Sequence, residues 1–185
     1  MSNYLHHVPK AVLDQARQVR LLTLDVDGIL TDGALLLSPE GESLKTFNTL
    51  DGLGIKLLRR SGVEVALITG RGSPIVSARA QALGIAHVYQ HCEEKWRATS
   101  ELQALLGIEP TATAHMGDDL PDLGAMALGG FAITVPDAHP LLLERADYCT
   151  MRAGGRGAVR EACDLILFAK GLLDAAVKVY YQPHA

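Results

Sequence analysis

Two closely spaced aspartates, Asp25 and Asp27, follow an apolar segment and are the strongest chemical signal in the chain. Residues 21–24 are rich in leucine and predict a buried parallel strand. In strand geometry the two carboxylates share a face, and Gly28 lets the backbone turn so that both approach one point. Carboxylates this close raise each other's pKa unless a cation lies between them. The pair therefore indicates a cation site, and the structural alternative is a strand end that stops at turn-forming Asp and Gly.

Further polar side chains follow other predicted strands. Thr69 comes directly after a strand predicted from Val63 to Ile68. Lys95 lies in the first turn of a helix predicted from Glu93 to Leu106. The strand predicted from Ala112 to Met116 is followed by three acidic residues, Asp118, Asp119 and Asp122. Because function in a doubly wound sheet lies at the carboxyl ends of the strands, we expect these groups to meet in one pocket.

The chemistry of this pocket follows from its residue types. Carboxylates without histidine or cysteine favour Mg²⁺ over zinc. With the cation bound, Asp25 can attack phosphorus in line and form an aspartyl phosphate. Asp27 is placed to protonate the departing alkoxide and then to deprotonate the attacking water. Thr69 and Lys95 supply donors to the phosphoryl oxygens, so the residues predict Mg²⁺-dependent phosphoryl transfer.

Strands and helices alternate along the chain and must position these groups. The predicted strands are residues 21–24, 63–68, 85–89, 112–116, 131–133 and 146–149. This alternation predicts an α/β fold with a doubly wound, mostly parallel sheet. A projecting β-hairpin is predicted at about residues 34–47, and it carries more leucine than it can bury alone, so we expect it to contact another subunit. The connections leave no room for a cap domain, and a final helix is predicted from Ala158 to Tyr180.

Composition narrows the class of protein. With 185 residues, 48% of them hydrophobic, and no long linker, we expect a single domain over residues 1–185. We find no membrane-length apolar run and no signal peptide, which predicts a cytoplasmic location without a membrane partner. Three widely spaced cysteines indicate neither a disulfide framework nor a zinc site. A net charge of −4 without a basic stripe argues against nucleic-acid binding.

The order of the motifs resembles the haloacid dehalogenase superfamily of phosphatases. The motifs are Asp25-x-Asp-Gly28, Ile68-Thr-Gly-Arg71, Lys95 and Gly117-Asp-Asp-x-x-Asp122. The resemblance implies a haloacid dehalogenase-like, Rossmannoid fold and a Mg²⁺-dependent phosphohydrolase. It also implies that Asp122 orients its neighbours, while we interpret Asp119 as a cap of the next helix.

The same resemblance assigns the catalytic roles. It implies Asp25 as nucleophile and metal ligand, and Asp27 as acid and base with its carbonyl on the metal. Asp118 becomes a further metal ligand. Thr69 and Lys95 become ligands of the substrate phosphate.

A narrower resemblance covers nearly the whole chain after residue 20. Its segments are Thr31–Gly33 with the hairpin, Phe47–Gly52, Ile68–Arg71, Ala138–Pro140, Ala146–Tyr148 and Ala153–Glu161. These are similar to the family of 3-deoxy-D-manno-octulosonate 8-phosphate phosphatases. That family implies a homotetramer with a central barrel of hairpins and a phosphorylated eight-carbon sugar acid as substrate, on the route to bacterial lipopolysaccharide. It also implies that the tail, residues 152–185, closes over a neighbour's site, which makes Arg156 part of a lid.

The family positions also imply a substrate pocket. Besides Asp27, its residues are Asn48, Thr49, Leu50, Asp51, Gly52, Lys56, Arg71, Arg79 and Lys95. A substrate with a phosphate and a carboxylate needs such cations, because arginine binds these groups with two parallel hydrogen bonds. Two departures leave the choice of sugar open, the segment His91–Glu94 and the extension Tyr180–Ala185. His115 and His139 are interpreted as ordinary core or capping histidines.

Other functions stay open at this point. The nearest is a phosphatase of a related nine-carbon, sialic-type sugar acid phosphate. A phosphoacceptor signalling domain also combines an acidic pair with Thr and Lys. Its acidic pair lies on the first strand and its phosphate-accepting Asp on a later one, whereas here the candidate nucleophile Asp25 already follows the first strand. A catalytically idle interaction module is a further alternative, although every motif residue is present.

Overall fold

Six parallel strands form a sheet with the first strand near its centre. The structure is a computed structural model that describes residue 5 and residues 7–181. The strands are β1 (Leu21–Leu24), β2 (Leu36–Ser38), β3 (Gly41–Leu44), β4 (Glu64–Ile68), β5 (His87–Tyr89), β6 (Thr113–Met116), β7 (Phe131–Thr134) and β8 (Tyr148–Cys149). The large sheet has the order β5-β4-β1-β6-β7-β8, and every neighbouring pair is parallel. The predicted parallel sheet is confirmed.

Helices cover both faces of this sheet. They are α1 (Lys10–Gln18), α2 (Thr49–Arg60), α3 (Pro74–Leu83), α4 (Lys95–Leu106), α5 (Leu123–Leu128), α6 (Pro140–Arg145), α7 (Ala158–Ala169) and α8 (Leu173–Lys178). Leu22 and Leu24 of β1 belong to the main core cluster, which includes the apolar side of α7. Leu21 packs instead with Leu102 of α4 in a separate cluster. Successive side chains of a strand point to opposite faces, so the sheet is doubly wound as predicted.

The hairpin forms a small sheet of its own. β2 and β3 pair antiparallel, as the sequence predicts. Leucines project from it with 43% to 64% of their surface exposed: Leu35, Leu36, Leu37 and Leu44. Within residues 7–181, the chain between β1 and β4 forms no helix or strand besides this hairpin and α2, which agrees with the predicted absence of a cap domain.

The prediction of one final helix from Ala158 to Tyr180 is wrong. The chain forms two helices there, α7 and α8, and Gly171 between them has a φ of 70°. This left-handed conformation favours glycine and ends α7. Leu172, directly after this glycine, is 37% exposed. The last residues of the predicted tail, 182–185, lie outside the described residues, and in the part of the chain that is described no helix has the length and hydropathy needed to cross a membrane.

Candidate active site

The carboxyl ends of β1 and β6 bring the acidic residues together. The Asp25 N–H donates to the Met116 carbonyl at 3.0 Å, which extends the pairing of β1 with β6 by one residue. Gly28 has a φ of 96°, and a Cβ there would overlap the Asp118 carboxylate. Glycine is therefore required at this turn for both its conformation and its lack of a side chain. The loop after β1 can then approach the loop after β6.

Three carboxylates form what we call the carboxylate cluster: Asp25, Asp118 and Asp122. One oxygen of each lies within 4.8 Å of the others. Burial, and after it the charges of Asp25 and Asp122, raise the pKa of Asp118 to about 8. Burial and the charge of Asp122 also raise the pKa of Asp25. The Asp118 Oδ1 atom is buried and has no hydrogen-bond partner among the described residues. An all-oxygen site with an unpaired buried acceptor and raised pKa values fits Mg²⁺.

Lys95 is the cation that the chain itself places in this cluster. Its Nζ donates to Asp25 Oδ1 at 2.8 Å and to Asp122 Oδ1 at 2.6 Å. Burial alone would lower the pKa of Lys95, but the charges of Asp25 and Asp122 outweigh it and raise the pKa. Lys95 therefore stays an ammonium ion and holds the Asp25 carboxylate in place. The structure thus brings together Asp25, Lys95 and Asp118 from three separate motifs.

Both oxygens of the Asp122 carboxylate are hydrogen-bonded, to side chains and to the backbone of the loop after β6. Its Oδ2 accepts from the N–H groups of Asp118 and Asp119 at 3.2 and 3.3 Å. Burial would raise the pKa of Asp122, but its hydrogen bonds with His115 and Lys95 lower it overall. Asp122 is therefore an ionised anchor for the loop after β6. Asp119 is exposed, and its Oδ1 accepts from the Leu120 N–H at 2.8 Å as a cap of the short 3₁₀ turn that follows.

His115 contributes to the site in a way that sequence reasoning missed. The side chain is fully buried, as expected of a core histidine. Its Nε2 lies 2.9 Å from Asp122 Oδ1, and its Nδ1 lies 2.7 Å from Thr23 Oγ1 in β1. The histidine thus links the central strand to the acidic loop. The sequence gives no signal for this contact, because only the turn after β6 brings residues 115 and 122 together.

The side chain of Asp27 points to the hairpin rather than into the carboxylate cluster. Its Oδ1 lies 2.5 Å from Lys45 Nζ, and its Oδ2 lies 3.7 Å from Arg71 Nε. Lys45 also contacts Glu42 Oε1 at 2.7 Å. We call Asp27, Glu42 and Lys45 the hairpin cluster. Sequence reasoning missed Lys45 and Glu42, because the sequence gave no sign that the hairpin contacts the loop after β1.

Thr69 and Arg71 lie in the loop after β4. The Thr69 N–H donates to the Tyr89 carbonyl at 2.9 Å, so this residue prolongs the pairing of β4 with β5. Its hydroxyl is almost fully buried and accepts from the Arg71 N–H at 3.3 Å. β4 neighbours β1 in the sheet, with Leu24 opposite Leu67. Thr69 is thus anchored at the same edge of the sheet as Asp25.

Part of the predicted substrate pocket gathers at the start of α2. Arg79 Nη2 donates to the Asn48 carbonyl at 3.3 Å, and its guanidinium lies 5.5 Å from the centre of the Phe47 ring. A Cβ at Gly52 would overlap Arg79, so the glycine makes room for it. The Asn48 side chain accepts from the Leu50 N–H at 2.9 Å and caps α2.

Other predicted substrate residues lie elsewhere. The Asp51 carboxylate is buried and accepts from the Arg160 N–H at 2.8 Å at the start of α7, so it supports packing of α2 on α7. Leu50 lines a cavity of about 690 Å³ with Arg152 and Arg160. Thr49 and Lys56 are exposed on α2. Sequence position alone did not distinguish these orientations.

The glycine-rich segment before α7 packs on its own chain. The Gly155 N–H donates to the Ile29 carbonyl at 2.9 Å, and a Cβ at Gly154 would overlap the Gly28 carbonyl. Arg156 Nη2 lies 3.3 Å from Asp32 Oδ2, with 70% of the arginine side chain exposed. The segment therefore covers the outside of the loop after β1. Closure over a neighbour's site stays a prediction.

The arrangement can perform nucleophilic chemistry on an anionic group. Asp25 is a carboxylate whose position is fixed by an ammonium ion, at an oxygen-lined cation site. Asp27 provides a second carboxylate outside that cluster, and Thr69 and Arg71 provide donors nearby.

Comparison with known proteins gives related proteins over most of the chain. No protein-family model matches it. The 3-deoxy-D-manno-octulosonate 8-phosphate phosphatase of Escherichia coli (strain K12) is 51% identical over 165 residues, which cover 89% of this chain and 88% of the relative. The phosphatase of the same name from Moraxella catarrhalis, solved with a magnesium ion, a phosphate ion and KDO, has a TM-score of 0.90 and 43% identity, covering 92% of this chain and 98% of the other. The cobalt-bound Haemophilus influenzae phosphatase has a TM-score of 0.85 and 38% identity, covering 87% and 94%.

Proposed function

The chain belongs to the family of 3-deoxy-D-manno-octulosonate 8-phosphate phosphatases, within the haloacid dehalogenase superfamily, and we propose that Asp25 is the nucleophile of its reaction. The protein is a Mg²⁺-dependent phosphomonoester hydrolase that releases phosphate from 3-deoxy-D-manno-octulosonate 8-phosphate. The contact between Lys95 and Asp25 within the carboxylate cluster is the observation that supports this role most strongly.

The proposed reaction has two displacements. An oxygen of Asp25 attacks phosphorus and the P–O ester bond breaks, while the carboxyl group of Asp27 gives its proton to the departing sugar oxygen. Asp27 then takes a proton from water, the water oxygen attacks phosphorus, and the bond between Asp25 and phosphorus breaks. Inorganic phosphate leaves, and both aspartates return to their starting state.

The residues around Asp25 support these steps. Asp25, Asp118 and the Asp27 carbonyl would hold Mg²⁺, which when bound neutralises charge between the carboxylate and the phosphate. Lys95 and Thr69 donate to the phosphoryl oxygens, where negative charge increases in the transition state.

We assign recognition of the sugar acid to the surrounding cations. Arg71 and Arg79 would bind the carboxylate or hydroxyl groups of the substrate, with Asn48 and its neighbours up to Gly52 and Lys56 completing the pocket. Arg71 is half-exposed and already faces Asp27, which supports a place at the entrance. The choice between an eight-carbon and a nine-carbon sugar acid depends on this outer part of the pocket.

Assembly and location are part of the same proposal. The exposed leucines of the hairpin support a homotetramer built through β2 and β3, in which Arg156 could reach a neighbour's site. The three cysteines are free, which supports a cytoplasmic enzyme on the route to lipopolysaccharide. We also propose that residues 1–185 form one domain without a nucleic-acid or membrane partner.

A substrate panel tests the proposed function. Phosphate release would be measured with the eight-carbon and the nine-carbon sugar acid phosphates, each with Mg²⁺ and with EDTA. We expect a higher kcat/KM for the eight-carbon substrate and no turnover in EDTA until Mg²⁺ is restored. Preference for the nine-carbon substrate would favour the alternative phosphatase, and a phosphoaspartate stable for minutes would favour a signalling domain.

A further inference from the structure

The side chain of Lys45 is buried, although it lies on a hairpin whose leucines are largely exposed. It follows β3 directly, and 2% of its side chain is accessible, whereas Leu44 beside it is 63% exposed. Burial would lower the pKa of Lys45, but its hydrogen bonds with Asp27 and Glu42 outweigh this and raise the pKa. Lysine is rarely buried unless it is paired. The hairpin therefore places an ammonium ion against Asp27.

The two oxygens of Asp27 have different surroundings. Oδ1 accepts from Lys45 Nζ at 2.5 Å. Oδ2 is buried and has no hydrogen-bond partner within the described part of the chain, and Arg71 Nε lies 3.7 Å from it. Thr31 Oγ1 lies 3.5 Å from Oδ1, at the limit of a hydrogen bond, so Lys45 is the principal anchor of that oxygen.

We propose that Lys45 is a positioning residue for Asp27: it holds Oδ1 and leaves Oδ2 as the atom that gives and takes the proton. This inference rests on the acid and base role of Asp27 in the proposed function. In the first displacement the proton on Oδ2 passes to the ester oxygen, which keeps the electron pair of the breaking P–O bond. In the second, Oδ2 takes a proton from the attacking water.

Glu42 is the second carboxylate that contacts Lys45. Its Oε1 lies 2.7 Å from Lys45 Nζ and 3.8 Å from Arg71 Nη2. The Lys45 ammonium group therefore contacts Glu42 on the hairpin and Asp27 in the loop after β1. Because both partners of Lys45 must be in place, Asp27 is aligned only when the hairpin is seated on its own chain.

The dependence of the rate on the leaving group tests this role. A sugar alkoxide needs a proton as it leaves, whereas 4-nitrophenolate does not. Formation of the phosphoenzyme would be measured in single turnovers by rapid quench, which isolates the first displacement. We expect Lys45→Met to slow this step about 100-fold with the sugar phosphate, which is the lower end of the range for loss of general acid catalysis. With 4-nitrophenyl phosphate we expect the same variant to slow it less than about threefold.

Companion variants separate positioning from folding. Lys45→Met leaves Asp27 and Glu42 with only the more distant guanidinium of Arg71 between them. Lys45→Met combined with Glu42→Gln removes the repulsion between the two carboxylates and should show the same selective loss. Lys45→Arg keeps a cation and should recover part of the sugar phosphate rate. Glu40→Gln, an exposed charge at the hairpin turn, is the matched control and should leave both rates unchanged.

Asp27→Asn provides the reference for each outcome. It should show the same selectivity as Lys45→Met, and adding Lys45→Met to it should cost nothing further, because Lys45 acts through Asp27. Equal slowing of both substrates by Lys45→Met, no slowing, or a full additional loss on top of Asp27→Asn would each overturn the positioning role. If Asp27→Asn itself lacked selectivity while Lys45→Met kept it, the assigned role of Asp27 would be wrong instead.

Discussion

The carboxylate cluster and the hairpin cluster differ in how the backbone holds them. Asp25 and Asp118 extend from β1 and β6, which pair in the middle of the sheet, so their positions follow from strand register. The hairpin cluster joins Asp27 to a two-stranded sheet with exposed leucines. The first region is fixed by the folded core. The hairpin cluster depends on a projecting element, so the alignment of Asp27 and the choice of substrate can vary there without loss of the fold.

Replacing the nucleophile gives the largest expected effect. Asp25→Asn removes the attacking oxygen charge while keeping the volume, so kcat should fall by about 10⁴-fold or more. Stability should be unchanged or higher, because Asp118 and Asp122 lose a like charge beside them. Phosphate release and thermal unfolding measure the two quantities. Substantial remaining turnover would remove Asp25 from its role.

Lys95→Met tests whether Lys95 both supports catalysis and stabilises the folded protein. The change leaves Asp25 and Asp122 buried without their ammonium partner, which should lower the free energy of unfolding by about 3 kcal/mol. Loss of a donor to the phosphoryl group should reduce kcat by about 10²–10³-fold. Urea unfolding and steady-state kinetics give both values. An active variant of normal stability would contradict the assigned contacts.

Arg71→Ala tests the surroundings of the hairpin cluster. There we expect substrate binding to weaken while the free energy of unfolding stays the same. The side chain is 48% exposed, and its ion pairs with Asp27 and Glu42 are long, at 3.7 and 3.8 Å. KM should rise about 10-fold, the loss of one charged hydrogen bond, while the free energy of unfolding changes by less than about 0.5 kcal/mol. Arg17→Ala, an exposed arginine on α1, is the control. A large fall in kcat at unchanged KM would move Arg71 into the catalytic step.

The stability of the metal-free protein should also depend on pH. The pKa of Asp118 is 3.8 in a model peptide and about 8 in the fold, so the folded protein keeps a proton that the unfolded chain has released. This stabilisation is complete below the unfolded pKa and is lost as pH rises through about 8. We expect the Tm in EDTA to fall across this range, and to fall less with Mg²⁺ or in Asp118→Asn. An equal fall in Asp118→Asn would exclude Asp118 as the cause.

Sequence reasoning succeeded where strand register determines position. The parallel sheet follows from the alternation of strands and helices. The gathering of Asp25, Lys95 and Asp118 follows from polar residues directly after strands and in the first turn of a helix. It failed where contacts depend on turns. The link from His115 to Asp122 and the folding of Lys45 onto Asp27 join residues with no local pattern between them.

The same limit applies to the substrate pocket and the last helix. Asn48 and Asp51 are close in sequence, yet one caps α2 and the other turns to α7. Helical periodicity alone predicted one helix to Tyr180, because it did not weigh the conformational freedom of Gly171.

Mapping the covalent intermediate shows directly whether Asp25 is the nucleophile. The protein would be mixed with the eight-carbon sugar acid phosphate and Mg²⁺, quenched in acid within milliseconds, and its peptides analysed by mass spectrometry. We expect a phosphoryl group on Asp25 that is absent from Asp25→Asn. A phosphoryl group on any other residue, or rapid turnover with no phosphoenzyme formed, would contradict it.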